Sequence, residues 1–170
     1  MKISFNYPIK ILIAFLNPTL DKTVNLFRKD PTYSNNAENI VNNLSSTTSF
    51  LIWVDTKNFK TNIFQGAKDN WKLLNSYSCS IGKPSTPTPK GTFKVGIKGL
   101  SFGEEKGYKC RYYTQIVGNY LFHSIIYNLN GTIRDGRLGK RISDGCVRLA
   151  LLNAKWIYDN VPKGTTIYIS

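Results

Sequence analysis

Runs of apolar and β-branched residues alternate with short polar segments along most of this 170-residue chain. Such runs, bounded by turn-forming residues, are typical of β-strands. They lie at residues 49–54, 60–64, 71–81, 108–117 and 120–123. The first three follow one another closely and predict strands that meander into one sheet. The last two are separated by Gly118 and Asn119, which predict a tight turn between them. The pattern therefore predicts a mainly β fold.

Near the C-terminus the spacing changes to that of a helix. The apolar residues at intervals of three and four are Leu151, Ala154, Tyr158 and Val161. Residues 150–161 are therefore predicted to form a helix with one face against the sheet. A Pro-Lys-Gly sequence at 162–164 ends this helix, and the β-branched run at 165–169 predicts a final strand that fixes the C-terminus in the sheet.

The N-terminal part of the chain has a different composition. Residues 1–48 are interpreted as an extension or linker, or as a truncated upstream region, and residues 49–170 as one domain. One or two helical turns are predicted within 37–44. The apolar run at 11–16 resembles a signal-peptide core, but a lysine precedes it and no small-residue cleavage site follows. It is too short for a membrane span.

Charge and cysteine content narrow the classes of partner. The chain has 23 Lys and Arg against 10 Asp and Glu, a formal charge of +13, which suits nucleic acid or a wall rich in carboxylates and phosphates. The basic residues are scattered and no nucleic-acid motif accompanies them, so we expect no nucleic-acid partner.

Cys79 and Cys110 lie in strand-like runs and are interpreted as buried thiols. Without a Cys-x-x-Cys pair, we expect no metal site.

The stretch SDGCVRL at residues 143–149 carries the candidate chemistry. Cys146 is flanked by small residues and followed by an apolar helical pattern, as in an exposed nucleophile on a loop-to-helix turn. Because the chain has one histidine, Cys–His chemistry must use His123, at the end of a predicted strand. An imidazolium and a helix N-terminus near Cys146 would both lower its pKa. Gly145 lets the Cys146 amide point at a reacting carbonyl.

Three further segments surround this stretch. Residues 83–90 hold three prolines and are interpreted as a rigid corner joining two sheets, or as a groove wall. Residues 96–107 are predicted to be a loop punctuated by glycines. Residues 125–142 are predicted to form a hairpin-like excursion, and its basic residues form either a solvated rim or a basic mouth beside Cys146. These basic residues are Arg134, Arg137, Lys140 and Arg141.

Two motifs resemble one known family. The residues His123-Ser124, Gly139 and SDGCVRL are similar to the signature of the L,D-transpeptidase catalytic domain, whose members are cysteine enzymes that cross-link peptidoglycan. The segment STPTPKGTF at 85–93 resembles the Thr-Pro-x-Pro-x-Gly-x-Phe segment of the same family. The resemblance extends from about residue 50 to 170. It implies two mixed β-sheets that form a sandwich, with one C-terminal helix packed on it.

The resemblance also implies a reaction without a cofactor. The Cys146 thiolate would attack the carbonyl of the third residue of a tetrapeptide stem and expel D-alanine. His123, oriented by the backbone carbonyl of Ser124, would move the protons. Transfer of the thioester to the amine of a neighbouring stem peptide would give a 3→3 cross-link. The alternatives are an L,D-carboxypeptidase, which transfers to water, and a non-catalytic wall-binding module. A papain-like protease is disfavoured because its cysteine precedes its histidine.

The predicted substrate-binding residues are Arg148, Ser143 and Gly145. Arg148 matches the family's arginine two positions after the nucleophile, and either pairs with a substrate carboxylate or braces the loop through a buried ion pair. Ser143 is expected mainly to shape the turn. Two departures from the family pattern are Asp144, an anion that opposes ionisation of the thiol, and Ala150, which leaves the helix without a capping side chain. We expect a monomer that acts on stem peptides in the cell wall or periplasm.

Overall fold

Strands dominate the structure, which a computed structural model describes for residues 31–170. The apolar run at 11–16 lies outside the described residues. The strands are β1 (Phe50–Asp55), β2 (Lys60–Ala67), β3 (Asn70–Gly82), β4 (Gly91–Lys94), β5 (Lys98–Phe102), β6 (Cys110–Val117), β7 (Tyr120–Ser124), β8 (Ile126–Tyr127), β9 (Ile133–Asp135), β10 (Arg141–Ser143), β11 (Val147–Leu149) and β12 (Thr166–Ile169). The helices are α1 (Pro31–Val41) and α2 (Leu151–Asn160), and a 3₁₀ turn spans Glu104–Lys106. Within the described residues, no helix is both long and apolar enough to cross a membrane.

The main sheet has ten strands, in the order β4-β12-β1-β2-β3-β11-β7-β6-β5, with β10 beside β3; β8 and β9 form a second, two-stranded sheet. It is mixed, because β1 runs parallel to β12, β11 to β7 and β10 to β3. The predicted mainly β fold, with mixed strands and a C-terminal helix, is confirmed. The two layers of the predicted sandwich are the halves of one curled sheet. Strand β3 belongs to both halves, since it pairs with β2 along most of its 13 residues and with β11 near its end.

Strand β1 shows why the sheet has two buried faces. Its side chains alternate, so that Ile52 and Val54 join the core enclosed by the curled sheet and α2, whereas Leu51 and Trp53 join a second core under α1. An uninterrupted apolar run is typical of a strand that is buried on both faces. Helix α1 begins earlier than the predicted turns at 37–44, and its buried residues Ala37 and Val41 pack against this second core.

Helix α2 confirms the predicted helix at 150–161. Ala154 and Ile157 are buried in the main core. As expected from the sequence, Ala150 caps the N-terminus without a side-chain hydrogen bond. At the other end, the Lys98 ammonium donates to the carbonyls of Tyr158, at 2.6 Å, and of Val161. A cation at a helix C-terminus satisfies carbonyls that have no partner within the helix.

One predicted loop is wrong. Strand β5 forms within residues 96–107 and pairs with β6. The glycines that favoured a loop have another cause, since a Cβ on Gly99 would lie 2.3 Å from the ring of Tyr113. Glycine in a strand commonly marks such a close approach. The hairpin-like excursion at 125–142 is confirmed by β8 and β9, which are joined through a turn in which the Gly131 amide donates to the Asn128 carbonyl at 2.9 Å.

Candidate active site

Cys146 lies in the short connection between β10 and β11. The prediction of a loop-to-helix turn is wrong, because Cys146 is followed by strand β11 and helix α2 begins only at Leu151. The helix N-terminus therefore does not adjoin the thiol. Val147 and Leu149 are fully buried within the main core. Their strand, β11, is paired with β3 on one side and with β7 on the other, which fixes its position.

His123 is on the strand next to the cysteine. Strand β7 runs parallel to β11, with Phe122 opposite Val147 and His123 opposite Arg148. Cys146 and His123 both line one cleft of about 290 Å³. Its other walls include the aromatic rings of Phe102 and Tyr108 and the charged side chains of Arg134, Asp144 and Arg148. The fold thus brings together the two residues that the sequence singled out.

The orientation of the imidazole is set by a backbone contact. His123 Nδ1 lies 2.6 Å from the carbonyl oxygen of Ser124. Because a carbonyl only accepts hydrogen bonds, Nδ1 carries a proton, and a neutral ring then leaves Nε2 as an acceptor. The Ser124 hydroxyl donates to the Ile125 carbonyl at 2.7 Å and accepts from the Arg111 amide at 2.8 Å. The Phe102 ring meets the imidazole edge-on, with centroids 5.2 Å apart.

The protonation states differ from the prediction. Burial lowers the pKa of His123 to about 4, and the charge of Arg148 acts in the same direction. Burial raises the pKa of the Cys146 thiol, partly offset by the Leu121 backbone and by Arg148. Both shifts favour the uncharged forms of the two groups, whereas the sequence analysis expected an imidazolium that lowers the pKa of Cys146.

The thiol has a different neighbour from the one expected. It donates to the Asn119 carbonyl, with 3.5 Å between sulfur and oxygen. In the part of the chain that the structure describes, no hydrogen bond joins Cys146 Sγ to His123. Asp144 raises the pKa of the thiol, as predicted from the sequence. Its carboxylate is itself paired with Lys83, at 2.6 Å.

The turn around the cysteine is held by Ser143. Its hydroxyl donates to the Cys146 carbonyl at 2.6 Å and accepts from the Gly145 amide at 3.2 Å. Ser143 thus shapes the turn, as expected. Gly145 has a φ of +106°, and a Cβ there would lie 2.3 Å from a ring carbon of Tyr120. A residue with a side chain would be strained at this position and would meet that ring.

Two threonines that the sequence analysis missed hold the same turn. Thr88 Oγ1 donates to the Gly145 carbonyl at 2.8 Å and accepts from the Gly82 amide at 2.9 Å. Thr86 Oγ1 donates to the Ser143 carbonyl at 3.2 Å. The proline-rich segment therefore acts as a clamp on the turn that carries Cys146. The signal in the sequence was the placement of hydroxyl residues between prolines, which fix the backbone that carries them.

Arg148 is engaged in a buried ion pair. It is 8% exposed, and its NH1 lies 2.9 Å from Oδ2 of Asp135. Asp135 also accepts two hydrogen bonds from Arg137, from Nε at 2.9 Å and from NH2 at 3.0 Å. Two roles were left open for Arg148, and the ion pair with Asp135 is the contact expected of the one that braces the loop. Arg137 and Arg148 hold the pKa of Asp135 far below its usual range. No local pattern in the sequence pointed to Asp135 as this partner.

Two roles were left open for the basic residues of the excursion, a solvated rim and a basic mouth beside Cys146. Of the four basic residues of the excursion, Arg134 lines the cleft, where it donates to the Gly107 carbonyl at 3.1 Å and lies 5.9 Å from the Tyr108 ring centroid. Arg137 is bound to Asp135, and Arg141 reaches the Thr56 carbonyl at 3.4 Å, outside the cleft.

The remaining cysteines have no partner in a disulfide. Cys79 and Cys110 are both free and buried, which confirms the interpretation of the sequence, and burial raises the pKa of each to about 12. Within residues 31–170, His, Cys, Asp and Glu side chains form no cluster of three that could hold a metal ion.

Comparison with known proteins agrees with this geometry. Residues 49–169 match the family described as YkuD, the L,D-transpeptidase catalytic domain. The putative L,D-transpeptidase YciB of Bacillus subtilis is 31% identical over 128 residues, which cover 70% of this chain and 66% of YciB. The chain thus spans just under two thirds of that relative.

Solved structures resemble the fold as well. One is a fused Zn-dependent amidase/peptidase/peptidoglycan-binding domain-containing protein from Clostridium acetobutylicum, with 40% identity and a TM-score of 0.70 over 88% of this chain and 74% of that one. An L,D-transpeptidase from Mycobacterium smegmatis has 24% identity and a TM-score of 0.56, over 72% of this chain and 58% of its own. The second of these supports the fold alone.

Proposed function

The chain belongs to the family of L,D-transpeptidase catalytic domains, and we propose that it forms 3→3 peptidoglycan cross-links through a thioester on Cys146. The observation that carries the proposal is the cleft that Cys146 and His123 both line, with Nδ1 of the imidazole held by the Ser124 carbonyl. This arrangement leaves Nε2 free to accept a proton. A thiol beside a fixed proton acceptor is the requirement for nucleophilic acyl transfer.

In the first half-reaction, Cys146 Sγ attacks the carbonyl between the third residue of a tetrapeptide stem and its terminal D-alanine. The thiol and the imidazole start uncharged, so the thiol proton passes to Nε2 of His123 as the carbon–sulfur bond forms. The resulting imidazolium then protonates the leaving amine, and D-alanine departs. A thioester on Cys146 remains.

In the second half-reaction, the amine of a neighbouring stem peptide attacks the thioester. His123 Nε2 takes a proton from that amine and returns it to the sulfur as the carbon–sulfur bond breaks. The products are a cross-link between the third residues of two stem peptides and the original thiol. The positive φ of Gly145 supports a role for this turn in presenting the Cys146 amide to the developing oxyanion.

The cleft also suggests how the donor is held. Arg134 lines it without a carboxylate partner among the described residues, so we propose that it pairs with an acidic group of the stem peptide. Arg148 is proposed to act on the donor through its charge, and Ser143 and Gly145 are proposed to contribute by shaping the turn that carries Cys146. Because the proposed substrate is the wall polymer, we propose that the protein acts outside the cytoplasm, in the cell wall or periplasm. We also propose that it acts as a monomer.

The test is mass spectrometry of reactions with a purified disaccharide-tetrapeptide. The wild-type protein is expected to release D-alanine, to gain the mass of an acyl group and to produce a cross-linked dimer. Cys146→Ala should abolish all three. His123→Gln should slow acylation by about 100-fold or more, the usual contribution of a general base.

The control is Cys79→Ser, which removes a thiol of the main core that lies outside the cleft, and which should retain D-alanine release. A tripeptide product without dimer would show that water is the acceptor, and the cross-linking claim would fail. No release of D-alanine, with donors of several diamino acids, would refute the enzymatic proposal and leave a wall-binding module.

A further inference from the structure

An ion pair between Asp135 and Arg148 joins the β8–β9 hairpin to β11, the strand that follows Cys146. The hairpin belongs to a separate two-stranded sheet and meets β6 near Lys109 through a pair of backbone hydrogen bonds with Tyr127, at 2.8 and 2.9 Å. At the same end of the hairpin, Asp135 pairs with Ile126 and binds Arg148 of β11 at 2.9 Å. The hairpin carries Arg134 into the cleft. The contact between Asp135 and Arg148 thus adds a side-chain link between the hairpin and β11 to the backbone hydrogen bond that the Ile125 amide donates to the Leu149 carbonyl at 2.8 Å.

Arg148 lies directly behind the reacting groups. It is opposite His123 in the pairing of β7 with β11, lies two residues after Cys146, and lines the same cleft. Its side chain is almost fully buried, and its Nε has no hydrogen-bond partner within the described residues. A buried guanidinium with one carboxylate contact depends strongly on that contact, because little solvent is present to replace it.

Several other groups face the thiol. Asp144 precedes it on the same turn and is paired with Lys83 from the proline-rich segment. His123 faces it from β7 and Cys110 from β6, and Tyr108 and Arg134 form further parts of the wall. Among these groups, Arg148 is the buried cation, and Asp135 is the carboxylate that neutralises it. Arg137 holds Asp135 from the solvent side.

We propose that Asp135 is a positioning residue of this site: it fixes the Arg148 guanidinium, anchors the β8–β9 hairpin to the nucleophile strand, and sets the charge that the Cys146 thiol faces. Asp135 does not touch the reacting atoms and acts through Arg148. The part of this proposal that concerns turnover rests on the proposed function. The effect of Asp135 on the Cys146 thiol can be measured without a substrate.

The experiment measures the rate of Cys146 alkylation by iodoacetamide as a function of pH, in the full chain and without peptide. Asp135→Asn leaves the Arg148 charge uncompensated, so the midpoint of the profile should move to lower pH by about 0.5 to 1 unit. Arg148→Met removes the cation and should move the midpoint to higher pH. A general loosening of the fold would not move the two variants in opposite directions.

Two further variants complete the design. Lys140→Met removes an exposed cation from the same excursion and should leave the midpoint unchanged. Asp135→Glu keeps the charge, and therefore the midpoint, but displaces the guanidinium by one methylene. It should lower kcat for D-alanine release by about tenfold, a typical loss for a misplaced positioning group.

The outcomes separate this proposal from the proposed function. If Asp135→Asn and Arg148→Met shift the midpoint in the same direction, or neither shifts it, the positioning role is overturned. If Asp135→Asn does not fold, an unchanged kcat in Asp135→Glu would overturn it equally. If no variant, including the wild type, releases D-alanine while the midpoints move as expected, the proposed reaction fails and the electrostatic role of Asp135 stands.

Discussion

Replacing Thr88 with valine should loosen the turn that carries Cys146. The Thr88 hydroxyl is buried and bridges two backbone groups, accepting from the Gly82 amide at 2.9 Å and donating to the Gly145 carbonyl at 2.8 Å. Valine has almost the same shape, so packing is kept while both hydrogen bonds are lost. Neither backbone group can reach solvent easily, because Thr88 is only 6% exposed.

The magnitude follows from the two groups left unpaired. A buried donor or acceptor without a partner costs about 1–3 kcal/mol, so Thr88→Val should lower the free energy of unfolding by roughly 2–4 kcal/mol after the gain from a more apolar side chain. For a domain of this size, that corresponds to a loss of roughly 5–15 °C in Tm. The rate of D-alanine release should fall as well, since the Gly145 carbonyl no longer anchors the turn.

The assay is urea unfolding followed by tryptophan fluorescence, together with D-alanine release at a temperature where each variant is folded. Thr86→Val is the matched control, because the Thr86 hydroxyl bonds the Ser143 carbonyl at the longer distance of 3.2 Å and is half-buried. It should cost about 0.5–1.5 kcal/mol. If Thr88→Val is no more destabilising than Thr86→Val and keeps wild-type activity, the clamp does not hold the nucleophile turn.

Three other substitutions test separate parts of the structure. Gly145→Ala places a side chain at a positive φ and against Tyr120, and should lower the free energy of unfolding in urea by about 1–3 kcal/mol. Adding Tyr120→Ala should restore only the stability lost to the clash, and full restoration would contradict the backbone strain. The pKa of His123 is about 4 in the folded state and 6.5 ordinarily, so the unfolded chain takes up the proton first as pH falls. The free energy of unfolding should therefore fall by roughly 3 kcal/mol between pH 6.5 and pH 4. His123→Gln should flatten that part of the stability profile, and an unchanged slope would refute the assignment. Lys98→Met removes the cation from the C-terminus of α2 and should lower Tm by a few degrees, whereas the exposed Lys155→Met should not; equal effects would argue against the cap.

Much of the fold was predictable where the residues of a single strand or helix show the apolar spacing typical of that element. Strand β1 is an unbroken apolar run, and helix α2 repeats its buried residues at helical spacing. The placement of Cys146 and His123 in one cleft was also predictable, because a chain with one histidine leaves no choice of partner for Cys146. These features depend on residue identity and local spacing, which the sequence contains.

Features that depend on distant contacts were not predictable. Strands β10 and β11 have three residues each, too few to show a period, and they exist because β3 and β7 supply hydrogen bonds. The partnership of Asp135 with Arg148 joins segments that share no local pattern. The shifts in the pKa values of Cys146 and His123 follow mainly from burial, which is a property of the assembled cleft. Such properties appear only when the strands are placed together.

The parallel pairing of β1 with β12 has a consequence for how the domain forms. Leu51 aligns with Thr166 and Val54 with Ile169, so a central strand of the sheet gains one of its two neighbours from the far end of the domain. Contacts of such large sequence separation make folding slow. During synthesis, β1 has an open edge until β12 leaves the ribosome, so this part of the main sheet cannot be completed before then. The timing of folding is thus set by the final few residues of the domain.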